Sequence, residues 1–176
     1  MKMNNKAYTL AELMIVIAIV LVLAAAAITG GASVIKNLKF GNAFNKIVFT
    51  VQRARSAALT AKDAQTVSEY RVSLDNSMIA LSAEGSGGSE TIVDSYTIDT
   101  RQTMELAAYD ISNGLPGAIC SDGAAISFAV KTAAAAFECA GSANPSPALL
   151  KIVLMHDDGS KKSFIIHKEA GIPQVQ

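Results

Sequence analysis

Lys6-Ala7-Tyr8-Thr9-Leu10-Ala11-Glu12-Leu13 opens an apolar run that continues without a break from Met14 to Ile28. From Tyr8 to Ile28 the run is 21 residues. As a helix rising about 1.5 Å per residue it would reach roughly 31 Å, enough to cross a bilayer core. Only Thr9 and Glu12 interrupt it, and Lys2 and Lys6 stand in front. A charge at the centre of a lone spanning helix costs at least ~2.5 kcal/mol, and less near an end, so Glu12 is a candidate functional residue. The alternative is a solvated carboxylate just outside a shorter span, Leu13 to Ile28. The two leading lysines favour a cytoplasmic N-terminus and place the remainder across the inner membrane.

Beyond Gly30-Gly31 the pattern changes. Phe40, Phe44, Ile47, Val51, Ala54 and Ala58 recur in steps of three and four, with Ile35 and Leu38 ahead of them. That spacing is one face of an amphipathic helix. Lys36, Lys39, Lys46, Gln52, Arg53 and Arg55 decorate the other side, where the arginines read as a solvated face. Each glycine weakens a helix by about 1 kcal/mol relative to alanine, so a bend or local melting is expected near residues 29–31. The remaining residues read as strands and turns. Residues 69–74 and 78–81 form a hairpin around Asp75-Asn76-Ser77, and residues 84–90 make a Gly/Ser-rich loop. Further strands are expected at 91–98, 103–109, 125–130, 149–155 and 162–167, the last two joined by Asp157-Asp158-Gly159-Ser160. One long helix followed by strands predicts an α+β fold with an antiparallel sheet laid on the helix.

A basic leader, a small residue, an aromatic, Thr-Leu-x-Glu-Leu and an apolar helix together resemble the class III signal of type IV prepilins and secretion-system pseudopilins. The resemblance implies cleavage by a prepilin peptidase between Ala7 and Tyr8, methylation of the new N-terminus, and Glu12 as the fifth mature residue, serving assembly. The family nearly always has Gly where this chain has Ala7, and usually Phe where it has Tyr8. Ala54-Arg55-Ser56-Ala57-Ala58-Leu59 carries a narrower resemblance to H-type minor pseudopilins and FimT-type minor pilins. The division that follows is a leader over 1–7, a transmembrane or filament-core half-helix over 8–29, an amphipathic half over 30–62 and a periplasmic β-rich head over 63–176. A conventional secretory signal, cut after the Ala24–Ala27 stretch, is the competing reading and would release a soluble periplasmic binding protein.

Charge and residue chemistry bound the function further. Fifteen basic and fifteen acidic residues cancel, so nothing in the balance suggests nucleic acid or an acidic substrate. DNA-binding FimT-type relatives carry a basic Gly-Arg-x-Arg tail, whereas this chain has no basic residue after Lys168, and phosphate binding loses its main source of affinity. Cys120 and Cys139 form an even pair in an exported head. They read as a disulfide, with free thiols the alternative and metal disfavoured, because no further ligands share their spacing. Asp157-Asp158-Gly159 lacks the spaced oxygens of a calcium loop. His156 and His167 have no marked nucleophile partner, and no G-x-S-x-G elbow exists. The expectation is a structural subunit with no cofactor, not an enzyme. Its partners would be a prepilin peptidase, other pilins or pseudopilins, an inner-membrane assembly platform and lipid. Its place would be the short periplasmic filament of type II secretion, with a minor pilin of a type IV pilus or DNA-uptake machine as the runner-up.

Overall fold

A computed structural model describes residues 9–61, 66–75, 77–99, 101–109, 119–140 and 147–175. Ala7 and Tyr8 lie outside the described residues. Among the described residues one helix, α1 (Leu10–Thr60), precedes nine strands: β1 (Val67–Leu74), β2 (Met78–Gly85), β3 (Glu90–Thr97), β4 (Gln102–Tyr109), β5 (Ala124–Ala129), β6 (Ala135–Cys139), β7 (Leu149–His156), β8 (Lys161–His167) and β9 (Pro173–Val175). The fold is α+β, and all strand pairs are antiparallel. By its internal contacts the chain divides into two units, Met1–Gly41 and Asn42–Gln176.

In the first unit the chain is helix from Leu10 onward. Leu13, Ile15, Val16, Ile19, Val20, Leu21 and Leu23 are each more than half exposed, so the apolar side chains look outward on every side. Such a surface is unfavourable in water at roughly 25 cal/mol per Å², and it calls for an apolar cover. Among the described residues no helix is long and apolar enough to cross a membrane. The stretch Leu10 to Ala26, where burial is described, covers 17 residues, or about 25 Å. A bend or local melting was expected near residues 29–31; the helix is unbroken there, so the melting does not occur.

In the second unit the helix from Asn42 to Thr60 buries Ala43, Phe44, Ile47, Val51, Ala54 and Ala58 among the strands. Phe44 meets Phe164 of β8 edge to face, with centroids 5.7 Å apart. The amphipathic face is therefore real, with one correction. Val34, Ile35 and Leu38 are exposed, and burial begins only at Phe40.

The strands form two sheets where one was expected: β3-β2-β1-β5-β6 and β4-β7-β8-β9. Alternation along a strand reveals its buried face but carries no information about which strands pair, so the partition was hidden. In β7 every second residue from Leu150 to His156 is buried. In β6, Ala135, Phe137 and Cys139 point inward. The expected hairpin is present, its turn closed by Asp75 N–H to Met78 O at 2.9 Å. Gly123 holds φ +102 just before β5, where an added Cβ would stand 2.7 Å from the carbonyl oxygen of Leu74. Only glycine fits so close a backbone crossing.

Candidate functional site

The start of α1 is built by Thr9 and Glu12. The Glu12 backbone N–H donates to Thr9 Oγ1 at 3.3 Å, and Glu12 Oε2 accepts from the Thr9 N–H at 3.1 Å and from the Thr9 hydroxyl at 3.2 Å. A helix leaves its first four N–H groups without internal partners, and this reciprocal capping box satisfies two donors at once. Glu12 also places negative charge in the first turn, at the positive end of the helix dipole. Its Oε1 accepts no bond among the described residues. The box was overlooked in reading the sequence. Thr-x-x-Glu ahead of an apolar run is its ordinary signature, and the unusual carboxylate drew the reading elsewhere.

Cys120 and Cys139 are joined in a disulfide, Cα to Cα 5.0 Å, and both are buried. The Cys120 N–H donates to Leu106 O at 2.9 Å, and Ile119 bridges to Ala107, so Cys120 lies against β4, the rim of the four-stranded sheet. Cys139 ends β6, the rim of the five-stranded sheet. The bond therefore ties one sheet's edge to the other's. Sequence spacing suggested the bond but not this role.

Asp157 to Ser160 forms the β7–β8 turn. Asp158 Oδ1 accepts from the Ser160 N–H at 2.8 Å, and Gly159 takes φ +86. Hydrogen bonds from the Ser160 backbone and then its hydroxyl hold the Asp158 carboxyl below its ordinary value. A turn accounts for these residues. Among the described residues no three His, Cys, Asp or Glu side chains gather as a metal centre. His156 lies at the end of β7 and His167 at the end of β8.

The arginines correct another reading. Arg53 is not merely solvated: with Lys46 it brackets Asp94 of β3, at 2.9 and 3.2 Å. Hydrogen bonding and charge from Lys46, then the charge of Arg53, hold the Asp94 carboxyl below its ordinary value. Arg55 is only partly exposed, and its Nε is fully buried with no hydrogen-bond partner among the described residues.

A family model described as a prokaryotic N-terminal methylation motif matches residues 2–28. The chain carries a prepilin-type N-terminus. The match spans 27 of the 176 residues and supports a type IV pilin-like protein. A prepilin-type motif implies processing by a prepilin peptidase and assembly with other pilins. Thr9, Glu12 and the exposed apolar side chains that follow all fall inside the matched segment. Comparison with curated proteins and with solved structures gave no match.

Proposed function

We propose that this chain is a minor pseudopilin of the H type, a structural subunit of the periplasmic filament that serves type II secretion, and not an enzyme. The capping box of Thr9 and Glu12 at the head of an outward-facing apolar helix carries this reading. Cleavage between Ala7 and Tyr8 would leave the box intact, since Thr9 becomes the second mature residue. It would also create an amine at Tyr8, next to the N-cap. Glu12 Oε2 is occupied by the cap, while Oε1 is left to accept from the amine of an adjacent subunit. In apolar surroundings a carboxylate stays charged only beside an opposite charge, so pairing with that amine would register neighbouring subunits. In sequence the apolar run continues past Ala26 through Ile28, which brings the stretch from Leu10 to 19 residues. That length, about 28 Å, suits a single inner-membrane anchor before assembly and a filament core after it. The Ala54-Arg55-Ser56 helix end is common to H-type pseudopilins and FimT-type minor pilins; secretion is preferred over a DNA-uptake pilin because residues 169–176 carry no basic Gly-Arg-x-Arg pattern.

The capping box dictates the test. Glutamine at position 12 keeps a competent cap but removes the charge, whereas alanine removes both. N-terminal sequencing of the membrane-extracted protein should give a methylated start at Tyr8. Crosslinking to other pilins in the intact assembly should drop for both Glu12→Gln and Glu12→Ala. A mature start after Ala26 or Ala27 would overturn the reading, and normal crosslinking of Glu12→Gln would remove the charge from the mechanism.

A further inference from the structure

Near the end of α1 the head has a cleft of about 290 Å³, lined by Gln52, Arg55, Ser56 and Leu59 from the helix and by Ile172 and Pro173 from the segment entering β9. Its floor is an unusual arginine. The chain has four: Arg53 pairs with Asp94, Arg71 with Glu69 and Glu138, and Arg101 with Asp99. Arg55 alone has no carboxylate among the described residues, and its Nε is sealed from water without an acceptor. Gly171 makes that position possible. At φ +59, a Cβ there would sit 3.4 Å from Arg55 Nε and 3.2 Å from the Phe128 ring, so a bare backbone packs against the guanidinium. The side chain is thus held in place while no carboxylate among the described residues answers its charge.

We propose that this cleft binds a carboxylate of a neighbouring filament subunit, an Asp or Glu side chain flanked by an apolar residue. The inference rests on the filament reading above. The terminal Nη groups of Arg55 supply the planar, charge-assisted donors that carboxylates fit, and Gln52 and Ser56 offer further hydrogen bonds. Leu59 and Ile172, each nearly half exposed at the rim, cover the apolar flank. The cleft holds a single cation, and the chain from Gly171 onward has no basic residue. Nucleic-acid affinity accumulates over several neutralised phosphates, so a carboxylate is the better match.

The test uses the full chain in membranes containing the assembled filament, with a photocrosslinking residue at Leu59 and, separately, at Ile15. Products are digested and mapped. The Leu59 product should land within a few residues of an Asp or Glu on another subunit. It should fall at least fivefold in Arg55→Gln, and survive in Arg55→Lys. Ile172→Asp, a surface change that places a like charge at the rim, should cut it to a similar degree without altering the fold. Arg55→Glu should regain the product when the mapped carboxylate is changed to Lys. A Leu59 product indifferent to Arg55→Gln, or one mapping away from any acidic residue, overturns the proposal. Products at Ile15 but none at Leu59 overturn it while sparing the filament reading, and products at neither site overturn both. Retention of a DNA oligonucleotide by the wild-type chain in detergent, lost in Arg55→Gln, would assign the cleft to phosphate and likewise overturn it.

Discussion

Replacing Phe44 by alanine tests whether the second half of α1 is part of the head's core. The ring is 4% exposed and stands 5.7 Å from Phe164 at an interplanar angle of 77°, with Lys162 Nζ 5.6 Å from its centroid. Truncating a buried phenylalanine costs about 3–5 kcal/mol. Within that sum the edge-to-face pair accounts for about 0.5–1.5 kcal/mol and the lysine over the ring for about 0.5–1 kcal/mol. With the ring almost wholly enclosed on the helix side and Phe164 fully buried beneath it, the expected loss is about 4 kcal/mol. That is a large share of the 5–15 kcal/mol typical of a folded domain. The assay is urea unfolding of a fragment beginning at Lys39, which keeps buried Phe40 and omits the exposed Val34, Ile35 and Leu38. At a slope of about 2 kcal/mol per molar, the midpoint should fall by about 2 M with the slope unchanged. A double-mutant cycle between Phe44→Leu and Phe164→Leu should return a coupling of about 0.5–1.5 kcal/mol. A loss under about 1 kcal/mol for Phe44→Ala, with zero coupling, would refute the packing argument.

Protein extracted without reductant should show no thiol to an alkylating agent by intact mass, and replacing Cys120 and Cys139 together by serine should destabilise the head by about 3 kcal/mol, since the bond closes a span of 19 residues. For Asp94, whose carboxyl is depressed by Lys46 and then Arg53, the stabilisation is complete above its unfolded value near 3.8 and is lost as the pH falls through the lower folded value. The stability difference between wild type and Asp94→Asn should therefore hold steady from neutral pH down to about pH 5 and shrink below about pH 4, as read from unfolding midpoints across that range.

The helix was legible because its period is local. Phe40, Phe44, Ile47, Val51, Ala54 and Ala58 are spaced by the helical repeat, and all six are buried. Strands with branched and aromatic residues, such as β7 and β8, declared themselves in the same way. β6 did not, because Ala135-Ala136-Phe137-Glu138-Cys139 has little intrinsic strand preference, and its register is imposed by β5, with Ile126 opposite Phe137. β9 begins with Pro173, which a sheet accepts only at an edge or at the start of a strand. What joins residues far apart in sequence left no local trace. Asp94 answers Arg53 across 41 positions, and Gly171 reaches Arg55 only through the folded head. At the candidate site the residues were visible, but one of their roles was not: Glu12 was read for its charge, and its hydrogen bonds to Thr9 came with the structure.

The disulfide has a mechanical consequence for a subunit under load. From Cys120 to Cys139 the backbone takes 19 residue steps, which would extend to about 65 Å if drawn out. The bond replaces that contour with a 5.0 Å step. Tension applied to the chain passes from the segment against β4 directly into the end of β6, so the backbone between them, β5 included, lies off the covalent load path, while β1, outside the link, stays on it. Pulling can peel strands on either side of the link, but it cannot unravel the hairpin inside it. Reduction would return those 60 Å of slack to the chain and make the two sheets separable at their rims.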